Sequence, residues 1–585
     1  MRLSAWAYIV FGGILMGLGA ICHAYGWYKL KSETTKTESF PSRNTIASRD
    51  IAAGRDVIIT IGINRDDFYR TLKDRDKEIL NEIFKLKSQD TEKLRVMEKE
   101  LIDLHTKMEN IDRSLIEQEV KLAETYKSLN SLKNFFTADQ LVSAGEALKK
   151  GEVGAAEDLF KQVLDKGLRG MEPAAEAAFQ LGVLAESRID YIEACRYYTK
   201  AVELQPKNPL YIFQAGRITH VMGHYREAEL LYNKALEIQK DHSDSTDPRI
   251  GAILNSLAVL YHDKGNHSKA ETLYNESLKI AEANFGPDHP NVAAILNNLA
   301  SVYKSQGNYG EAKKLFKHSL KILEKSLGLG HPDVAINLNN LADIYQKLGN
   351  YLKAEDLNKR SLTIRVNVWG SDHPNVATGL NSLASVYRAQ GKFSEAEDLY
   401  KRSRKILENA WGLEHPNVAS SLNNLALLYR QQRKFAEAEL LYQQALTIRE
   451  KVLGSEHPQV GKSMGDLSLT YWEEGKYSQA EPLYKKSLEI LEKALGPEHP
   501  EVAYILNNQA LLYFSIGRYT EAELLYQRTL YIWEKSLGPD HPDIATCLEN
   551  YAALLKKMNR EAEAQPLEVR AASIKAKRAE KNPEN

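Results

Sequence analysis

The sequence predicts an all-α chain dominated by a solenoid of tandem helix-turn-helix units, and three observations carry that expectation. The dipeptide His-Pro recurs at His289, His331, His373, His415, His457, His499 and His541, and every step is 42 residues. Asp247-Pro248 stands one step earlier as a degenerate copy. An alanine keeps the same spacing at Ala270, Ala312, Ala354, Ala396, Ala438, Ala480, Ala522 and Ala564. Between these anchors the apolar residues fall at helical spacing. A period of roughly 20–50 residues marks a solenoid, because each unit is too small to bury its own apolar face and must stack on its neighbours.

Within one unit each element has a local cause. Gly286 ends a helix where a left-handed residue is needed. Asp288-His289-Pro290 opens the next helix: proline suits its first position, and His289 or Asp288 can cap the free amides. Val292, Ile295, Leu296, Leu299 and Tyr303 line one face, Gln306-Gly307-Asn308 makes the turn, and Tyr309 to Leu323 forms the second helix. The small Ala300 and Ala312 let the two helices approach closely.

These strings carry a resemblance. Leu296-Asn297-Asn298-Leu299-Ala300 with Tyr303, Gly307-Asn308-Tyr309 with Glu311-Ala312, and Leu327-Gly328 before His331-Pro332 resemble the tetratricopeptide repeat. More narrowly, they are similar to the 42-residue form found in kinesin light chains and in many bacterial kinesin-light-chain-like or nephrocystin-like proteins. The resemblance covers about Asp247 to Lys575 and implies a right-handed α-solenoid whose first helices line a concave groove. Ala228, and Ala194 at the 34-residue spacing of the ordinary repeat, extend the array upstream, and a weaker unit surrounds Gly151, Ala156 and Phe160. About eleven repeats are expected: ordinary ones over 138–246, 42-residue ones over 247–575, then a disordered basic tail, 576–585.

The N-terminal part reads differently. Ala5 to Tyr28 contains no Asp, Glu, Lys or Arg, has aromatic residues at both ends and is long enough to cross a bilayer. Residues 1–31 are therefore expected to be a membrane anchor, with a cleaved secretory signal as the alternative. Lys29, Lys31, Lys36, Arg43 and Arg49 follow the span, which favours a cytoplasmic array; a periplasmic or other extracytoplasmic array stays open. Residues 32–63 form a polar linker ending in a β-prone run from Asp56 to Ile63. Within 64–135, Leu94, Met97, Leu101, Leu104, Met108, Ile111 and Leu115 set a heptad, and Leu122, Leu129 and Leu132 hold its register. This predicts a coiled-coil stalk able to form a homodimer. The alternative is one long helix folding back onto the first repeats.

Composition excludes several functions. The 77 basic and 78 acidic residues leave no positive excess for nucleic acid. Cys22, Cys195 and Cys547 form neither a CxxC motif nor a disulfide framework. Metal ligands must converge within ~2–2.2 Å of the ion. Histidines on successive helix pairs stand ~8–10 Å or more apart, so helix capping is the expected role of the His-Pro series. Val460-Gly461-Lys462-Ser463 mimics the end of a phosphate-binding loop but follows Glu456-His457-Pro458, not a strand. No catalytic motif or cofactor fingerprint is present, so neither enzyme activity nor a cofactor is expected.

Two polar rows remain as candidate partner-binding residues. Asparagine, a poor helix former, recurs at Asn255, Asn297, Asn339, Asn381, Asn423 and Asn507, with Gly465 and Glu549 departing. The resemblance implies that this position faces the groove, where the amide can bond an extended peptide backbone. Bridging between repeats, or inheritance with a duplicated unit, is the alternative. Seven residues further lie His262, Lys304, Gln346, Arg388, Arg430, Trp472, Phe514 and Lys556. Such a row suits an acidic peptide with a bulky apolar anchor, or is a solvated row of long side chains. The function expected is a non-catalytic, membrane-tethered protein-interaction scaffold. A sensor or regulatory subunit serving a catalytic chain is the alternative, and a kinesin-light-chain-type cargo adaptor a third.

Overall fold

The computed structural model describes residues 153–166 and 171–581, with isolated positions between 125 and 147. The expected membrane span, the linker and the heptads as far as Leu122 lie outside the described residues. Among those described, no helix is long and apolar enough to cross a membrane.

The described helices run α1 (Gly154–Lys166), α2 (Met171–Ser187), α3 (Tyr191–Leu204), α4 (Pro209–Val221), α5 (Tyr225–His242), α6 (Pro248–Asp263) and α7 (His267–Phe285). Then come α8 (Pro290–Ser305), α9 (Tyr309–Leu327), α10 (Pro332–Lys347), α11 (Tyr351–Trp369), α12 (Pro374–Ala389), α13 (Phe393–Trp411) and α14 (Pro416–Gln431). The last seven are α15 (Phe435–Leu453), α16 (Pro458–Glu474), α17 (Tyr477–Leu495), α18 (Pro500–Ser515), α19 (Tyr519–Leu537), α20 (Pro542–Lys557) and α21 (Glu561–Lys581). From α2 onward they form antiparallel pairs, an even-numbered first helix with an odd-numbered second one. The basic tail expected to be disordered from residue 576 instead continues α21 to Lys581, with Ala571 and Ile574 buried against the last pair. Its Ala, Lys, Arg and Glu residues are strong helix formers.

The capping histidines act as their position predicts. In α8, α10, α12, α14, α16, α18 and α20, the Nδ1 of the preceding histidine accepts the second helical amide, at 3.0–3.2 Å. Most second helices of the 42-residue repeats end at a left-handed glycine such as Gly286 (φ 83°), as the sequence predicts. Ala270, Ala312, Ala354, Ala396 and their counterparts are fully buried, so a larger side chain there would push the pair apart at ~1–3 kcal/mol.

Two further rows join the helices. Within a repeat, a hydroxyl of the second helix donates to a carbonyl of the first: Ser277 to Gly251, Ser319 to Ala293, Ser361 to Ala335 and Ser403 to Ala377, at 2.7–2.9 Å. Between repeats, a tyrosine near the end of most first helices donates to a glutamate on the preceding second helix, as Tyr303 does to Glu271 at 2.6 Å and Tyr429 to Glu397 at 2.9 Å; Tyr345 is an exception.

The last heptad residues pack on the first described helices. Leu129 and Leu132 are buried in one cluster with Ala156, Phe160 and Leu181, and Ser128 donates to Glu176 at 2.9 Å. These residues cover part of the apolar face of the first described helices.

Candidate inner groove of the solenoid

First helices of consecutive repeats touch one another, as α4 does α6, α6 does α8, α10 does α12 and α12 does α14; second helices do not pack to a comparable extent. The first helices therefore form the inner wall of the curve, and both polar rows lie along it.

The structure divides the asparagine row. Asn255 Oδ1 accepts from Asn298 Nδ2 at 3.3 Å, and Asn297 Oδ1 accepts from Asn340 Nδ2 at 3.0 Å. Asn339 Nδ2 donates to Ser382 at 3.2 Å. Each bond joins one first helix to the next, so this half of the row ties repeats together. The Oδ1 atoms of Asn339, Asn381, Asn423 and Asn507 are covered and find no hydrogen-bond partner within the chain, so Asn339 is tied through its Nδ2 alone.

The second row divides in the same way. Lys304 pairs with Asp343 at 3.0 Å, His262 bonds Ser305 at 2.9 Å, Gln346 reaches Ser385 at 3.3 Å and Trp472 donates to Ser515 at 3.0 Å. Arg388 Nε and Arg430 Nη1 are covered and unmet, although Arg430 has Glu473 at 3.7 Å. Lys556 lies at the end of the array and pairs with Glu568. Arg388 with Asn381 on α12, and Arg430 with Asn423 on α14, each pair seven residues apart on one helix, thus place unsatisfied donors and acceptors along this part of the inner wall.

Next to this patch are residues absent from the sequence-derived rows. Lys462 on α16 pairs with Glu501 on α18 at 2.7 Å. Burial works against the charge of Lys462, and the ion pair outweighs it, leaving its pKa raised. Yet 52% of its side chain is accessible. Asp466, one turn on, has its pKa raised by the same desolvation, against the pull of Lys462 and Arg430. The sequence did carry a signal for these residues: Lys462 stands where other repeats have Ala294, Thr378 or Ser420, and Asp466 where they have Asn298, Asn340 or Asn424.

Among the described residues no group of three or more His, Cys, Asp or Glu side chains could hold a metal ion. The imitation of a phosphate-binding loop, Val460–Ser463, is part of α16.

Tetratricopeptide-repeat profiles match residues 249–325, 333–409, 417–493, 475–530 and 501–577, and a second profile of the same description matches 143–209 and 381–451. The chain belongs to the tetratricopeptide-repeat family. Among solved structures it is similar to kinesin-light-chain TPR-like repeats from Podosopora anserina, with 29% identity over 35% of this chain and 97% of that one and a TM-score of 0.29. BtubC (BKLC) from P. vanneervenii is 26% identical over 41% of this chain and 92% of that one, with a TM-score of 0.31. A Rap protein complexed with competence and sporulation factor is 14% identical over 64% of this chain and 99% of that one, with a TM-score of 0.43. No curated protein matches the chain at a significant level.

Proposed function

We propose that the chain is a non-catalytic scaffold whose repeats hold an extended, acidic segment of a partner protein along the inner wall. One observation carries the reading: Arg388, Arg430, Asn381 and Asn423 have donors and acceptors that the chain leaves unmet, whereas Asn255, Asn297 and Lys304 are used between repeats. A buried polar group without a partner costs about 1–3 kcal/mol, and a ligand carboxylate or peptide amide that reaches it recovers this on a small side-chain rearrangement. Guanidinium groups bind carboxylates in paired geometry, which favours acidic over basic segments. The uncharged stretch 5–28 supports tethering of the array to a membrane, and the heptads of 64–135 support self-association.

The test is crosslinking and pulldown with the full chain. Arg388→Glu combined with Arg430→Glu is expected to abolish recovery of the partner, while Lys304→Glu weakens it little. Recovery unchanged by the double reversal would refute the groove reading.

A further inference from the structure

The three turns that follow α4, α6 and α8 contact the helix starts of α16, α18 and α20, more than two hundred residues further along the chain. His457 Nε2 lies 3.1 Å from the carbonyl oxygen of Val221, and His499 Nε2 lies 2.7 Å from that of Asp263. Both pairs are 236 residues apart, so one superhelical turn rests on the next in a register that repeats with the sequence. Each of these histidines already accepts a backbone amide at Nδ1, so Nε2 carries the proton and donates it across the seam. The glycines are fitted to the contact. A Cβ at Gly223 would stand 2.6 Å from Pro458, one at Gly307 would stand 2.9 Å from the His541 ring, and one at Gly265 would overlap Pro500. Clefts of about 620 and 480 Å³ lie along the seam, lined from both turns.

A seam has a consequence for the groove. First helices ~8–10 Å apart, six to a turn from α4 to α16, enclose a ring of roughly 50–60 Å circumference. Subtracting one helix diameter of ~10 Å leaves a lumen on the order of 5–10 Å wide, narrower than another helix.

We propose that this histidine–glycine seam is a clasp that closes the inner groove into a tube, admitting a partner as an extended chain and controlling its access by opening. The clasp is a property of the free protein; its role in uptake rests on the groove reading above.

Matched glycines test it. Gly265 and Gly391 occupy the same turn of their repeats with φ of 69° and 76°, but nothing lies within 4 Å of a Cβ at Gly391. Alanine therefore costs similar backbone strain at both and collides only at Gly265. Spin labels on Arg226 and Glu456, which line one cleft from opposite turns, report the seam in the full chain. Gly265→Ala and Gly223→Ala should lengthen and broaden the label distance, and Gly391→Ala should not. Equal responses, or none, would overturn the clasp. A fluorescent glutamate decapeptide should associate several-fold faster with Gly265→Ala than with Gly391→Ala; equal rates with an opened seam would overturn the gating. Failure of every variant to bind the decapeptide would count against the groove reading and its gating, while the label distances still decide the clasp.

Discussion

The ring of His499 holds two points of the chain 236 residues apart: Nδ1 accepts the amide of Glu501 at 3.0 Å, and Nε2 reaches the carbonyl of Asp263 at 2.7 Å. One side chain thus starts a helix and fastens a superhelical turn. Asparagine separates the two roles, since it caps helices well but is too short to bridge the seam. His499→Asn should cost about 1–2 kcal/mol and speed amide hydrogen exchange in the turn Lys264–Asn266. His415→Asn loses only the ring stacking on Trp411 and should leave that turn unchanged. Exchange mass spectrometry reads both.

The hydroxyl of Ser319 donates to the Ala293 carbonyl at 2.7 Å and accepts from Asn337 at 2.8 Å, all buried. Ser319→Ala strands both partners and should cost about 2–3 kcal/mol in urea denaturation. Other repeats place Ile253, Ile295 or Ile505 where Asn337 stands. Adding Asn337→Ile to Ser319→Ala should recover more than half of the loss, a coupling that independent sites would not show.

His267 is buried beside His262, whose ring centre is 5.4 Å away, with His499 and His541 also near. Desolvation lowers its pKa from 6.5 to about 4, with the three like-charged neighbours acting in the same direction. The folded chain therefore binds fewer protons here than the unfolded chain between those values. The stability contributed by the neutral ring is fully present above about pH 6.5 and is lost as pH falls towards 4, on the order of 3 kcal/mol. Tyr225, Tyr309 and Tyr351 occupy the same position in other repeats. His267→Tyr should flatten the acid limb of a melting-temperature profile while leaving stability at pH 8 nearly unchanged.

Arg433 adopts φ of 60° at the turn where other repeats use glycine. A left-handed conformation costs a side-chain-bearing residue roughly 1–2 kcal/mol. Arg433→Gly should stabilise the array by about 1 kcal/mol, after the extra entropy of glycine in the unfolded chain is deducted. Chemical denaturation of the two proteins measures the difference.

Much of this was legible in advance. Helix starts at His-Pro, turns at Gly-Asn, buried alanines and the division into pairs follow from bonds and contacts within one repeat, which local sequence specifies. The candidate rows were legible only as positions. Whether Asn297 faces a ligand or Asn340 depends on the distance between neighbouring first helices, and no single repeat contains that distance. The departures at Lys462 and Asp466 were visible as letters, but their desolvation arises from walls contributed by other repeats.

By itself, then, the sequence determined the repeat, its caps and its antiparallel pairing, because these are settled over separations of 42 residues or fewer. Only the tertiary structure decided that Asn255 and Asn297 serve the stack, that Asn381 Oδ1, Asn423 Oδ1, Arg388 Nε and Arg430 Nη1 stay unmet, and that His457 and His499 meet Val221 and Asp263. The reason is geometric. A small rotation from each repeat to the next, summed over six repeats, sets whether one turn meets another, and no residue encodes that sum.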